Sequence, residues 1–138
     1  MKTKITVTGI EHGELVDLLS TALEGSSWFE ASYDKTLYES IQETHGYCLE
    51  DKLADMLLSG YQITITDYEA DGESHSSKCT RITSSGNAVY KVGLEDFLKV
   101  ASTKKGFQLL SDVLDGTGDF WTADSFLQRV VFGEEIYG

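Results

Sequence analysis

The chain has 138 residues, a net charge of −12, 41% hydrophobic residues and two cysteines. A domain of this length buries about two thirds of the surface that its unfolded chain exposes, so it can build a core without disulfide bonds. The cysteine count, the acidic balance and the lack of a long apolar run exclude a disulfide framework, a basic nucleic-acid-binding face and a membrane span. We therefore expect one domain, residues 1–138, in the cytosol, without direct binding to nucleic acid or membrane.

Acidic residues are concentrated in the first half of the chain. Residues 11–75 carry fifteen aspartates and glutamates against two lysines, Lys35 and Lys52, which gives a local charge of −13. Residues 76–138 are nearly neutral, with eight acidic and seven basic residues. Such an acidic segment is either a solvated surface that favours solubility or a surface that competes with nucleic acid for a basic partner. The charge alone leaves both interpretations open.

The first part of the chain is predicted to form one strand and three helices. Polar and apolar residues alternate over 3–8, and most of them are β-branched, which predicts the strand. Apolar residues recur every three or four positions from Leu15 to Leu23, which predicts a helix that ends at Gly25. Trp28 and Phe29 are expected to pack beneath this helix. Two further helices are predicted over residues 34–45, between Asp34 and Gly46, and over residues 49–59, before Gly60.

Strands are predicted in the middle of the chain and helices at its end. The predicted strands cover residues 61–69, 79–83 and 88–92. The predicted helices cover residues 94–103, a short stretch before Gly116, and residues 123–132, with Thr122 as N-cap and Gly133 as the end. The short turns between the later strands favour antiparallel pairing. We therefore expect an α+β fold, with a small antiparallel sheet of about three or four strands packed with several short helices.

The stretch VLDGTGDF, residues 113–120, is similar to a glycine-rich nucleotide-binding loop. Such a loop follows a strand and opens a helix in a βαβ unit, whereas helical spacing precedes this one. The alternating acids, with Asp115 and Asp119, also suggest a calcium loop, but Phe126 stands where that loop needs a glutamate. We therefore interpret the stretch as a connection between two helices, whose glycines allow positive φ.

Two histidines and two cysteines occur in short pairs with the donor atoms that zinc prefers. The pairs are His45 with Cys48 and His75 with Cys79, and together they offer two imidazoles and two thiolates. Their order is not that of a common zinc finger. The favoured interpretation is unrelated surface histidines and half-buried thiols, so no metal or other cofactor is expected, and a zinc site from these four residues is the alternative.

Catalysis has little support in the sequence. The chain has no Gly-x-Ser-x-Gly motif, and neither cysteine has a flanking pattern typical of a nucleophile. Adjacent acids such as Glu50 and Asp51 are expected by composition in so acidic a chain. We therefore expect a protein that is not an enzyme.

The last predicted helix is apolar around too much of its circumference for a helix exposed on one side. Phe126, Leu127, Val130 and Val131 together cover this surface. The helix is therefore expected to pack between other elements or in a contact between subunits, which makes a homo-oligomer one expectation. Gln128 on the same helix is expected to bind a neighbouring backbone group.

The closing segment TADSFLQRVVFGEEIYG resembles the ends of a group of short proteins from tailed bacteriophages and prophages. These proteins commonly end in Ala-Asp, a hydrophobic pair, Gln, then Phe-Gly-Glu and a final Tyr-Gly. The matching residues are Ala123, Asp124, Phe126, Leu127, Gln128, Phe132, Gly133, Glu134, Tyr137 and Gly138. The stretches LSTALEGSSWF (19–29) and YKVGLEDFLKVAS (90–102) also look like that group. The resemblance implies no catalytic residue.

The resemblance implies a phage accessory protein that binds and blocks host machinery, such as a defence factor. Combined with the acidic segment, it suggests a non-catalytic inhibitor of a basic, nucleic-acid-handling host protein in the host cytosol. The candidate contacts are Glu30, Asp34, Glu39, Glu43, Glu50 and Asp51, with Trp28 and Tyr38 as aromatic anchors.

A protein that sequesters a small ligand such as a nucleotide is the alternative. An anionic ligand would need basic residues, and the main candidates are Arg81, Lys91 and Arg129, with Lys104 and Lys105 as further cations. A metal-dependent enzyme is the third interpretation, and a purely structural role in the phage is a fourth.

Overall fold

The computed structural model describes residues 9–25 and 28–138. Within them the chain forms six helices and four strands, so the expected α+β class is confirmed. The helices are α1 (His12–Gly25), α2 (Lys35–Glu39), α3 (Leu49–Leu58), α4 (Leu94–Ala101), α5 (Lys104–Leu114) and α6 (Phe120–Phe132). The strands are β1 (Phe29–Ser32), β2 (Ile63–Asp67), β3 (Cys79–Ile82) and β4 (Ala88–Val92). The strand predicted at residues 3–8 lies outside the described residues.

The four strands form one antiparallel sheet in the order β1-β2-β4-β3. Alternation gives the sheet two different faces, because successive side chains of a strand point to opposite sides. Ile63 and Ile65 of β2 and Tyr90 of β4 are fully buried in the core. The opposite face is polar, and on it Lys91 donates a hydrogen bond to Thr64 at 2.8 Å.

Helix α6 is the centre of the helical layer and packs against α1, α4, α5 and β4. Phe126, Leu127, Val130 and Val131 are at most 1% exposed, as the wide apolar surface of this helix predicts. The expectation that the helix packs between other elements is therefore confirmed. Gly106 on α5 allows a close approach to α4, because a Cβ atom at this position would overlap the backbone carbonyl of Val100.

Three predictions of local structure were wrong. Phe29 forms strand β1 beside β2, although no strand was predicted there. Helix α2 ends at Glu39, and residues 40–48 form a connection without regular structure rather than the rest of a helix over 34–45. Helix α6 begins at Phe120, three residues earlier than predicted, and its N-cap is Asp119, whose carboxylate accepts a hydrogen bond from the backbone N–H of Thr122.

The glycine-rich stretch forms the predicted helix–helix connection. The backbone N–H groups of Thr117 and Gly118 both donate to the carbonyl of Asp112 at the end of α5. Gly116 has a φ of 79°, a left-handed conformation that favours glycine. The loop is therefore the C-terminal end of one helix and the N-terminal cap of the next.

Residues 133–138, which we call the C-terminal strap, fold back along α6. Gly133 ends the helix with a φ of 84°. Gln128 is 2% exposed, and its side-chain oxygen accepts hydrogen bonds from the backbone N–H groups of Ile136 at 2.8 Å and Tyr137 at 2.9 Å. The predicted role of Gln128 in binding backbone groups is therefore confirmed. In the described part of the chain, no helix has both the length and the apolar character needed to cross a lipid bilayer.

Candidate functional site

The buried carboxylate of Asp55 is the centre of a polar cluster on helix α3. Leu53, Met56 and Leu57 anchor this helix in the core and are fully buried. Asp55 is only 2% exposed and lies in the last turn of the helix, where the backbone carbonyls carry partial negative charge. A buried carboxylate in this position is unfavourable unless donors or cations compensate for it.

Three groups lie close enough to Asp55 to compensate for its charge. Its Oδ2 atom accepts hydrogen bonds from the hydroxyl of Tyr38 at 2.9 Å and from the backbone N–H of His45 at 3.0 Å. Its Oδ1 atom lies 2.6 Å from Nδ1 of the His45 ring. Burial acts to raise the pKa of Asp55, but the hydrogen bonds from His45 and Tyr38 outweigh it and lower that pKa below its ordinary value. Asp55 is therefore held as an anion.

His12, the first residue of α1, adds a second imidazole to the cluster. Its Nε2 atom lies 3.2 Å from Oδ1 of Asp55, and its ring centroid is 4.3 Å from that of His45. This Nε2 atom is buried, yet it makes no hydrogen bond of acceptable geometry with any described group. We call His12, His45 and Asp55 the histidine–aspartate cluster. In the described ranges 9–25 and 28–138, no other histidine, cysteine or acidic residues bring three ligand atoms as close together.

The cluster faces an open pocket of about 570 Å³. Besides the three cluster residues, the pocket is lined by Ser40, Ile41, Gln42, Glu43, Leu58, Ser59 and Tyr61. The side chain of His45 is 48% exposed and that of His12 is 21% exposed, so solvent reaches the imidazoles while the carboxylate stays buried. The two histidines and Asp55 are therefore part of the lining of an open pocket.

The zinc site considered from the sequence does not form. His45 belongs to the cluster, but Cys48 is an exposed residue at the N-terminus of α3. The ring of His75 packs edge-on against Phe132, with 5.8 Å between ring centroids. Cys79 lies on strand β3. In the sequence each histidine lies close to a cysteine, whereas in the fold His45 contacts Asp55, ten positions later.

Two of the proposed contact residues are not available to a partner. Trp28 is 5% exposed, and its indole N–H donates to Asp124 at 2.5 Å. Tyr38 is half-buried, with its hydroxyl bound to Asp55. Both aromatic anchors inferred from the sequence are therefore used inside the molecule.

The proposed acidic contacts fall into two groups. Glu39 and Glu43 are exposed, and Glu50 and Asp51 lie half-exposed in the first turn of α3. We call these four residues the acidic loop face, because Glu43 lies within the connection 40–48 and the other three lie on either side of it in the sequence. The other two are involved in internal contacts: Glu30 accepts a hydrogen bond from Tyr68 at 2.6 Å, and Asp34 caps helix α2.

Exposed aromatic side chains occur at positions that the sequence reasoning did not select. Tyr47 is 95% exposed within the connection 40–48, and Trp121 is 57% exposed at the start of α6. Trp121 borders a second pocket of about 350 Å³, whose lining includes Phe120, Glu69 and Asp124. Tyr47 is the exposed aromatic residue that lies in sequence between Glu43 and Glu50 of the acidic loop face.

The basic residues considered for an anionic ligand do not converge. Arg81 is opposite Val89 in the sheet, so it shares the polar face with Lys91, two residues further along β4. Arg129 lies on α6 and forms an ion pair with Glu135 at 2.9 Å. Because α6 packs on the core side of the sheet and Arg81 and Lys91 share its opposite face, one ligand cannot contact all three residues.

Two residues of the histidine–aspartate cluster, Asp55 and His12, are not predicted from the sequence, because the sequence around them gives only weak signals. Asp55 is two positions from both Leu53 and Leu57, so helical spacing places it away from their stripe and predicts exposure. It is buried because the connection 40–48 and the start of α1 cover this side of the helix. His12 precedes the apolar spacing of α1, and no nearby residue marks it as a ligand.

Comparisons with known protein families, curated proteins and solved structures identify no relative of this chain. No family model matches the chain, and no curated protein and no solved structure is significantly similar to it. The function therefore has to follow from the charge, exposure and contacts of the described residues.

Proposed function

We propose that this chain is a small, non-catalytic binding protein that associates with a basic host protein and inhibits it. The similarity of its closing segment to short phage and prophage proteins supports a phage accessory role in the host cytoplasm. The acidic loop face is the proposed contact surface. A defence factor or another nucleic-acid-handling protein fits as the partner, because such proteins carry basic surfaces that an acidic protein can occupy.

The unpaired charge of the first half of the chain carries this proposal. Thirteen of the fifteen acidic residues between positions 11 and 75 reach the surface, and only Asp55 and Asp67 are buried. In the described ranges, none of these thirteen carboxylates forms an ion pair with lysine or arginine. The two ion pairs that do involve lysine or arginine there, Lys78–Asp96 and Arg129–Glu135, lie after residue 76. Like charges left unpaired on one segment repel one another, and a basic partner relieves that repulsion.

Tyr47, which lies in sequence between Glu43 and Glu50, is the proposed apolar contact beside these charges. Its side chain is 95% exposed, and Leu49, two residues later, is 39% exposed. Tyrosine is enriched at binding hot spots because it offers a large, rigid surface at low cost in conformational entropy. In this proposal the carboxylates accelerate encounter and set orientation, and Tyr47 supplies affinity.

The proposal is tested by capture from a lysate of the bacterial host with two variants of equal charge. The first variant, E39Q/E43Q/E50Q/D51N, neutralises the acidic loop face. The control, E24Q/E95Q/D115N/E134Q, neutralises four acids elsewhere on the surface. Both change the net charge from −12 to −8.

We expect the wild type and the control to retain the same basic protein in about equimolar amount, with release at high salt. The first variant should lose it, and the captured protein should lose activity when titrated with the wild-type chain. Equal retention by both variants, or retention that salt does not weaken, would contradict the acidic contact. Recovery of a nucleotide without any protein would replace the proposal with ligand sequestration.

A further inference from the structure

The histidine–aspartate cluster has the composition of a transition-metal site. Two imidazole nitrogens and one carboxylate oxygen lie within 4.8 Å of one another. Two histidines with one carboxylate form a common three-ligand set for zinc and related divalent ions in proteins. The three residues come from the start of α1, the connection 40–48 and helix α3, so the fold itself assembles them.

Among the groups that the structure describes, the hydrogen bonds of the cluster leave one ligand atom without a partner. Nε2 of His12 is buried beside Oδ1 of Asp55 but does not hydrogen-bond to it. If this nitrogen carries no proton, its lone pair faces a carboxylate oxygen, which is repulsive. If it carries a proton, the N–H is not directed at that oxygen. A cation between the two atoms satisfies both of them.

The spacing of the ligand atoms is close to that of a tetrahedral zinc site. Zinc lies about 2.0 to 2.1 Å from histidine nitrogen and carboxylate oxygen, so its ligand atoms are about 3.3 Å apart. Nε2 of His12 is already 3.2 Å from Oδ1 of Asp55. Nδ1 of His45 is 2.6 Å from the same oxygen and must move outward by roughly 0.7 Å. The side chain of His45 is 48% exposed, which leaves room for that movement.

A fourth coordination position would face the pocket. A site with three protein ligands keeps one position for water or for a ligand atom. The 570 Å³ pocket opens on this side of the cluster, with Ser40, Glu43 and Tyr61 on its walls. The hydroxyl of Tyr38 donates to the second carboxylate oxygen of Asp55 and would orient it, as outer hydrogen bonds do at metal sites.

We propose that His12, His45 and Asp55 bind one divalent transition-metal ion, zinc in the first instance, with an open coordination position toward the pocket. The inference does not depend on the proposed partner. The ion would tie the connection 40–48 to α1 and α3 through bonds that the metal-free protein lacks.

The test is calorimetric titration of ZnCl2 into untagged, chelator-treated full-length protein. We expect one zinc per chain, and a rise in melting temperature with zinc concentration, because an ion that binds the folded state stabilises it. H12A and H45A should each weaken zinc binding at least about tenfold. His75 provides the matched control, since H75A removes the remaining histidine and should leave the affinity unchanged. C48S/C79S should likewise bind as the wild type does.

Circular dichroism of each variant checks that it is folded. H45A addresses the site most directly because His45 is the most exposed ligand. The proposal is overturned if the wild type shows no stoichiometric binding, if H45A binds zinc as well as the wild type does, or if C48S/C79S abolishes binding.

Cobalt(II) in place of zinc gives a second measurement. We expect visible absorption typical of four or five ligands and no thiolate charge-transfer band. Added azide should change this spectrum, because it replaces water at the open position. A spectrum of six-coordinate cobalt, or a spectrum that azide does not alter, would contradict the proposed open coordination position.

Discussion

Asp67 and Asp55 are both buried carboxylates that accept a hydrogen bond from a tyrosine hydroxyl, but their surroundings differ. Asp67 receives Tyr137 of the C-terminal strap at 2.7 Å, and its other oxygen receives the backbone N–H of Glu69 at 2.8 Å. Asp55 accepts a hydrogen bond from Tyr38 at 2.9 Å but also has two imidazoles at its side, and among the described groups Nε2 of His12 has no hydrogen-bond partner. Both carboxylates have protein partners on both oxygens, and the difference is the unsatisfied nitrogen of His12 beside Asp55.

This difference separates stabilising residues from residues available for binding. The polar residues of the closing segment bind one another: Gln128 contacts Asp124, Ile136 and Tyr137. The connection 40–48 provides an exposed tyrosine and one arm of the histidine–aspartate cluster. The polar residues of the closing segment therefore hold the C-terminal strap against α6, and the residues proposed for binding lie in a different part of the chain.

Substitution of Gln128 should produce the largest loss of stability. The change Gln128→Leu leaves the part-buried N–H groups of Ile136 and Tyr137 without their acceptor, and Asp124 loses a donor. We expect the free energy of unfolding to fall by about 3 kcal/mol, because each unsatisfied buried group costs about 1 kcal/mol or more. Urea denaturation measures this change.

Gln108 offers the control for this substitution. It is exposed on α5 and its side chain donates an exposed hydrogen bond to Asp112, so Gln108→Leu should change the free energy of unfolding by less than about 0.5 kcal/mol. Equal effects of the two substitutions would show that the strap is not held as described.

The two tyrosines allow a direct comparison of the two carboxylates. Tyr137→Phe removes the sole protein donor to Oδ2 of Asp67 among the described groups, and we expect a loss of about 2 kcal/mol in unfolding free energy. Tyr38→Phe leaves Oδ2 of Asp55 with the backbone N–H of His45, so about 1 kcal/mol is expected. Urea denaturation in the presence of chelator measures both. A larger loss of unfolding free energy for Tyr38→Phe than for Tyr137→Phe would show that Asp55 depends more on its tyrosine than Asp67 does.

The sequence predicted the fold better than the site because the two depend on different kinds of information. Repeated apolar spacing marked α1, α3 and α6 and the pairing strands, since each element buries one continuous face. Strand β1 was missed because Phe29 and Ala31 are two buried positions in four residues, too few for a clear period. The cluster was missed because His12, His45 and Asp55 are far apart in the chain, and only tertiary packing brings them together.

High pH should affect the strap through Tyr137. Burial and then the hydrogen bond to Asp67 raise the pKa of Tyr137 well above its ordinary value of about 10. A raised pKa in the folded state means that this contribution to stability is complete below about pH 10 and is lost as the pH rises further. We expect unfolding free energy to fall between about pH 10 and pH 11 by about 1 kcal/mol more in the wild type than in Tyr137→Phe.

Urea denaturation at a series of pH values measures the difference. Tyr47→Phe, which alters a surface tyrosine instead, is the control and should follow the wild-type curve. Parallel curves for the wild type and Tyr137→Phe would contradict the link between this hydroxyl and alkaline unfolding.

Substitution of Tyr47 should have the smallest effect on stability and the largest effect on binding to the partner. Its side chain is 95% exposed, so Tyr47→Ala should change the free energy of unfolding by less than about 0.5 kcal/mol. If Tyr47 anchors the partner, the same change should weaken capture at least about tenfold, because aromatic hot spots account for much of an interface's affinity. Trp121→Ala is the matched control, since Trp121 is also exposed but lies on α6, next to the second pocket. Loss of capture with Trp121→Ala but not with Tyr47→Ala would move the contact surface from the connection 40–48 to the start of α6.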